Sequence, residues 1–142
     1  MIALSIDDVK GFMVKLLKEE IFDSFDLHSI IINSFARFEI YPSAEAESHL
    51  TWANLRVRVL DIIKGEIKPK SIKIVFGRSA DVLGFESGST YFTNIHFEDG
   101  KINITTGISK KSFSLEKTDE KKWDSLTMKF LDDSGIKYSN QL

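Results

Sequence analysis

The sequence predicts an α+β domain: an antiparallel sheet with a central β-hairpin at about residues 91–106 and three helices packed mainly on one face. Three observations carry this. Asp99-Gly100 separates two alternating runs, 91–98 and 101–106, which is the sequence of a two-residue type I′ hairpin turn. Apolar residues recur at helical spacing in three segments, 6–19, 45–64 and 119–133, and each stripe needs a sheet or another helix to cover it. Finally, 142 residues with 42% hydrophobic and 28% charged content, eleven Phe and two Trp suit one core, so residues 1–142 form a single globular domain in this reading. The same figures exclude disorder and low-complexity sequence.

The elements follow in order. Val9, Phe12, Met13, Leu16 and Leu17 make one stripe of an amphipathic helix. Ser5 suits its N-cap, Asp8 the reciprocal position of a capping box, and Leu4 with Val9 a hydrophobic staple. Only Gly11 argues against that helix, at about 1 kcal/mol relative to Ala. Residues 27–40 then alternate with period two, as two strands around Asn33-Ser34 or one bent strand ending at Tyr41-Pro42. Ser43 is placed to cap a second helix, with Glu45 and Glu47 in its first turns.

Residues 50–63 fit two templates. Leu55-Arg56-Val57-Arg58-Val59 alternates like a strand, whereas Trp52, Leu55, Val59, Ile62 and Ile63 fall at helical spacing, and the length decides for helix. Residues 71–76 read as a strand and 77–88 as a loop with room for a turn of helix at 80–83. Residues 107–111 turn the chain after the hairpin, and 113–115 offer a further short strand. Thr118 caps the last helix, Trp123, Leu126 and Phe130 form its stripe, and Gly135 closes it. The expected core is Val9, Phe12, Leu16, Trp52, Leu55, Val59, Ile74, Phe76, Phe97, Trp123 and Phe130.

Chemistry is sparse. There is no Cys, which removes disulfides, thiolate metal sites and cysteine nucleophiles together. His28, His49 and His96 have no metal-ligand spacing, so neither a metal nor a cofactor is expected. Residues 107–112 lack the second Gly of a phosphate loop, and no dinucleotide fingerprint or nucleophile elbow is present. Asp7-Asp8 suits a helix start, whereas Glu19-Glu20 sits at a helix end, where acids favour a basic neighbour or an external partner. The first eight residues lack a basic leader region and reach Asp7-Asp8, and no run approaches the ~18 apolar residues of a membrane span. The expected location is the cytoplasm, with no membrane partner.

One functional lead remains. The formal charge of −2 conceals an uneven distribution: residues 1–50 carry −5, residues 51–80 carry +5 and residues 81–142 carry −2. Arg56, Arg58, Lys73 and Arg78, extended by Lys110 and Lys111, are therefore the candidates for an anion site. Nucleic acid is disfavoured, because the pI is 5.9 and nucleic-acid modules tend to lie above ~9.

Several stretches taken together carry a resemblance. They are Met1-Ile2-Ala3-Leu4, Asp8-Val9-Lys10, Phe12-Met13, Phe22-Asp23 with Phe25, Ile63-Lys64-Gly65 with Pro69, Lys73-Ile74-Val75-Phe76, and Thr105-Thr106-Gly107 with Ser109, Lys111, Phe113 and Leu115. In this order the chain resembles an uncharacterised domain-of-unknown-function family of anaerobic Gram-positive bacteria. That resemblance implies a free-standing bacterial cytosolic protein and transfers no catalytic residue.

The functional expectation is thus a small non-catalytic binding or interaction protein whose basic middle segment faces an acidic or phosphate-bearing partner. A homo-oligomer, pairing that segment with the acidic start of another copy, is one form of it. The alternative is a small metal-independent enzyme with a site assembled around His96 and a distant carboxylate.

Overall fold

The computed structural model describes residues 1–43, 50–79, 89–109 and 118–141. Among these residues the chain forms β1 (Ala3–Ile6), α1 (Val9–Lys18), β2 (Asp26–Asn33), β3 (Arg37–Ile40), α2 (Trp52–Ile63), β4 (Ser71–Ser79), β5 (Thr90–Glu98), β6 (Lys101–Ser109), α3 (Thr118–Asp133) and β7 (Tyr138–Asn140). The strands make one sheet in the order β3-β2-β4-β5-β6-β1-β7, with every pairing antiparallel. The β5–β6 hairpin is central, and its turn has positive φ at both Asp99 (53°) and Gly100 (73°), as type I′ requires.

One sheet face is apolar and meets all three helices. Leu4, Ile6, Ile30, Ile32, Ile72, Ile74, Phe76, Ile95, Ile102 and Ile104 point into a single core with Phe12, Leu16, Trp52, Leu55, Val59 and Leu131. Leu27 joins them although its parity differs from that of Ile30. A bulge between Leu27 and Ser29 supplies the extra residue and turns both side chains to the core. Phe76 stacks on Phe22 at 5.9 Å and meets Phe25 and Trp52 edge-on at 5.2 and 5.4 Å. These rings tie α2 and the turn after α1 to the sheet.

The helix template wins over residues 52–63. Trp52, Leu55 and Val59 are buried, whereas Val57, which a strand would align with Leu55 and Val59, is 58% exposed. The cap is Thr51, whose N–H and hydroxyl both donate to Asn54 Oδ1 at 3.1 and 2.9 Å. The helix expected from residue 45 with Ser43 as its cap thus begins only at Trp52, since Thr51 bridges Asp26 of β2; Glu45 and Glu47 lie outside the described residues.

Five further local expectations are corrected. Residues 3–6 form a strand, not a helix start: Ala3 pairs Thr105 and Ser5 pairs both Asn103 and Ser139. The N-cap of α1 is accordingly Asp8, whose carboxylate accepts the Gly11 N–H at 3.0 Å. Gly77 lies within β4 rather than in a loop, because it is paired on both sides, with Asp26 of β2 and Phe92 of β5. Gly107 likewise lies within β6. On α3 the buried stripe is Trp123, Asp124, Thr127 and Leu131, and Leu126 is 42% exposed at its margin. The expected short strand at 113–115 and helical turn at 80–83 fall outside the described residues.

Candidate functional site

The site begins with a parity rule. Ile72, Ile74 and Phe76 alternate onto the core face of β4, and the next residue in that series is Arg78. The strand therefore carries a guanidinium onto the helix-covered face, opposite Tyr91 of β5. Arg78 is half-buried there, and among the described residues no carboxylate pairs with it.

Around it the fold builds an aromatic wall. Phe22 and Phe25 lie in the turn between α1 and β2, and Phe130 of α3 packs against both at 5.2 and 4.9 Å. Trp123, two turns before Phe130 on the same face of α3, is placed by two contacts: its indole N–H donates to the Phe92 carbonyl at 3.0 Å, and its ring lies 5.7 Å from that of Tyr91. Thr106 Oγ1 donates to Asp124 Oδ1 at 2.6 Å and accepts the Ile2 N–H at 3.0 Å, which fixes α3 over β6.

Between α3 and the sheet a cavity of about 180 Å³ remains, lined by Phe22, Phe25, Arg78, Thr93, Trp123 and Phe130 with Leu126, Thr127 and Leu131. An apolar cavity of about 150 Å³ is large enough to accept benzene. The space thus fits one ring or a short branched chain. Thr127 spends its hydroxyl proton on the Trp123 carbonyl of its own helix at 3.0 Å, so toward a ligand it can only accept.

The other cations expected at an anion site lie elsewhere. Arg56 is a structural link: its Nε and Nη2 donate to Asp23 Oδ1 and Oδ2 at 2.8 and 3.2 Å, joining α2 to the turn after α1. That hydrogen bond, opposed by desolvation and aided by the charges of Asp23 and Glu20, raises its pKa. Glu20 thus has the basic neighbour that its place near a helix end favours. Arg58 is exposed on α2, and Lys73 is exposed on the opposite face of the sheet from Arg78. Lys110 and Lys111 lie outside the described residues. The fold sends Lys73 and Arg78 to opposite faces of one strand, so a single surface does not gather the basic segment.

His96 is placed just as clearly. It lies on the face opposite the helices, 45% exposed, with its Nε2 3.2 Å from the 57% exposed carboxylate of Glu98. Asp124, a buried carboxylate, lies on the helix side, so the sheet separates the two. His28 is exposed at the β2 bulge with its ring 5.1 Å from that of Phe92, and His49 lies outside the described residues. Among the described residues no group of three or more His, Asp or Glu side chains is arranged to hold a metal ion. No helix among them is long and apolar enough to cross a membrane.

A larger recess of about 720 Å³ opens at one end of the sheet beside Asn33, Arg37, Lys70, Glu98 and Asp99. Its groups carry both signs and are partly satisfied already, Arg37 by Glu39 and Asn33 by Ser71. The smaller cavity is the sharper chemical feature, one cation against apolar walls.

Sequence reasoning had the signal for Arg78, since extending the 71–76 alternation by two residues puts it on the core face. Phe22 and Phe25 carry no periodicity, and their role emerges only from the turn. The model of a family of unknown function, DUF5721, matches residues 15–139. No curated protein matches the chain, and no solved structure matches it.

Proposed function

The chain belongs to DUF5721, a family of unknown function, and from that premise we propose that it is a cytoplasmic binding protein for a small amphipathic carboxylate. The ring or branched chain of the ligand occupies the aromatic cavity under α3, and its carboxylate pairs with Arg78. The observation that carries this reading is Arg78 itself, a half-buried guanidinium on the wall of an otherwise apolar pocket. The expected anionic partner is thereby narrowed. One guanidinium matches one carboxylate in a bidentate pair, whereas a phosphate dianion would bring a second charge into apolar surroundings without a partner. Thr93, only 4% exposed, adds a hydroxyl beside the acid.

The test compares benzoate and phenylacetate with their primary amides, read by calorimetry and by the indole N–H resonance of Trp123. Both acids are expected to bind in the micromolar to millimolar range. A hydrogen bond to a charged group contributes about 1.5–3 kcal/mol, so the amides should bind about 10- to 100-fold more weakly. Arg78→Met keeps the length of the side chain and should abolish that difference, with unfolding of the free protein changed by less than about 1 kcal/mol. Saturable binding by neither acid, or equal binding of acids and amides, would overturn the proposal. Binding of the acids at unchanged strength to the Arg78→Met protein would do the same.

A further inference from the structure

Among the described strands β3 is one edge of the sheet, and a strand edge offers N–H and C=O groups to another strand. Its side chains alternate: Phe38 and Ile40 pack against the core, while Arg37 and Glu39 are 58% and 44% exposed. Two exposed rings flank the strand, Phe35 at 63% and Tyr41 at 58%. Arg37 and Glu39 thus form the outward pair of the strand, while the Phe35 ring, in the bend before it, packs edge-on against that of Phe38 at 5.4 Å.

We propose that this edge is the interface of an antiparallel homodimer whose two-fold axis passes beside Phe38. In that register Arg37 lies opposite Glu39 of the second copy, and Glu39 opposite Arg37 of the second copy. In the same register Phe38 meets its own counterpart, which continues the apolar layer. The contact is isologous and closes on itself, leaving no free β3 edge for further growth.

The alternatives that keep both helix layers on one side are worse. Centring on Arg37 sets Arg37 against itself, and centring on Glu39 sets Glu39 against itself; like charges directly opposite destabilise a strand pair. Within one copy Arg37 Nε already donates to Glu39 Oε1 at 2.8 Å. The dimer sets two such pairs side by side, so four charges alternate in sign. A short charged edge can also repel strands, but repulsion relies on like charges, and this edge carries opposite ones at self-complementary spacing.

The test is sedimentation velocity from low micromolar to high micromolar concentration on the full chain. The wild type should pass from monomer to dimer. Arg37→Glu alone, or Glu39→Arg alone, sets like charges across the axis at two positions and should weaken the dimer about tenfold or more. An equimolar mixture of the two single variants restores opposite charges at both positions and should recover dimer mass. These side chains are exposed, so circular dichroism of each variant should match the wild type. A monomer at every concentration would overturn the proposal, as would a dimer indifferent to both substitutions or a mixture no more associated than its components.

Discussion

Under α1 and α2 the covered face of the sheet is closed, whereas under α3 it encloses a cavity. The first half is packed by bulky side chains with almost no access: Phe12 is 2% exposed and Trp52 and Val59 are fully buried. A polar group buried there is capped, the Trp52 indole donating to the Leu16 carbonyl at 2.8 Å. The second half is attached by polar links, Trp123 to the Phe92 carbonyl and Asp124 to Thr106, and it leaves about 180 Å³ beside Arg78. Close packing and open space are thus divided between the two halves of one face. Packing that excludes a ligand resists unfolding best, and a pocket gives up some of that packing.

The largest expected effect tests this division directly. Trp52→Ala should destabilise the protein by about 3–5 kcal/mol, because the site loses both the transferred surface and the contacts around a new void. Trp123→Ala should cost roughly 1 kcal/mol less, since that ring already borders open space and loses fewer contacts on truncation. Chemical denaturation of both variants measures the pair. Equal losses would break the distinction between a closed and an open half.

The next effect concerns the polar links. Thr106 is 1% exposed and bridges Asp124 to the Ile2 N–H. Thr106→Val keeps the shape but leaves a buried carboxylate and an amide short of a partner, at a cost of about 2–3 kcal/mol. Thr127→Val is the matched comparison, because its hydroxyl only back-bonds within α3, and it should cost under about 1 kcal/mol. If denaturation finds the two alike, polar attachment to the sheet is not what holds α3.

The same division explains what the sequence reveals. The closed half is legible because its signals are local, the stripe of Phe12, Leu16 and Leu17 in α1 and that of Trp52, Leu55 and Val59 in α2; the hairpin is legible for the same reason, from its Asp99-Gly100 turn. β1 and β7 are not, since their pairing joins residues 98 to 136 positions apart, and Leu4 and Ser5 happen to fill helix-start positions as well. The pocket depends on non-local placement twice over. Phe22 and Phe25 acquire meaning only when Phe130 closes on them, and Arg78 only once β4 is seen to continue through Gly77. A glycine inside an alternating run reads as a loop until its pairing on both sides is known, here with Asp26 and Phe92.

The smallest effect lies at the start of α1, where even the closed half depends on one polar contact. In a helix interior Gly→Ala stabilises by about 1 kcal/mol. At Gly11, however, a Cβ would clash with Asp8 Oδ2, and that carboxylate is the cap that accepts the Gly11 N–H. Losing an Asp cap costs about 1 kcal/mol, so the two terms should cancel and Gly11→Ala should leave stability unchanged. Asp8→Ala removes both the cap and the obstruction. In that background Gly11→Ala should recover its full gain, giving a coupling of about 1 kcal/mol between the two positions. Thermal and chemical unfolding of the four proteins in the cycle measure it. A full gain from Gly11→Ala in the wild-type background would mean that Asp8 rotates aside at no cost, and that α1 is held by its apolar stripe alone.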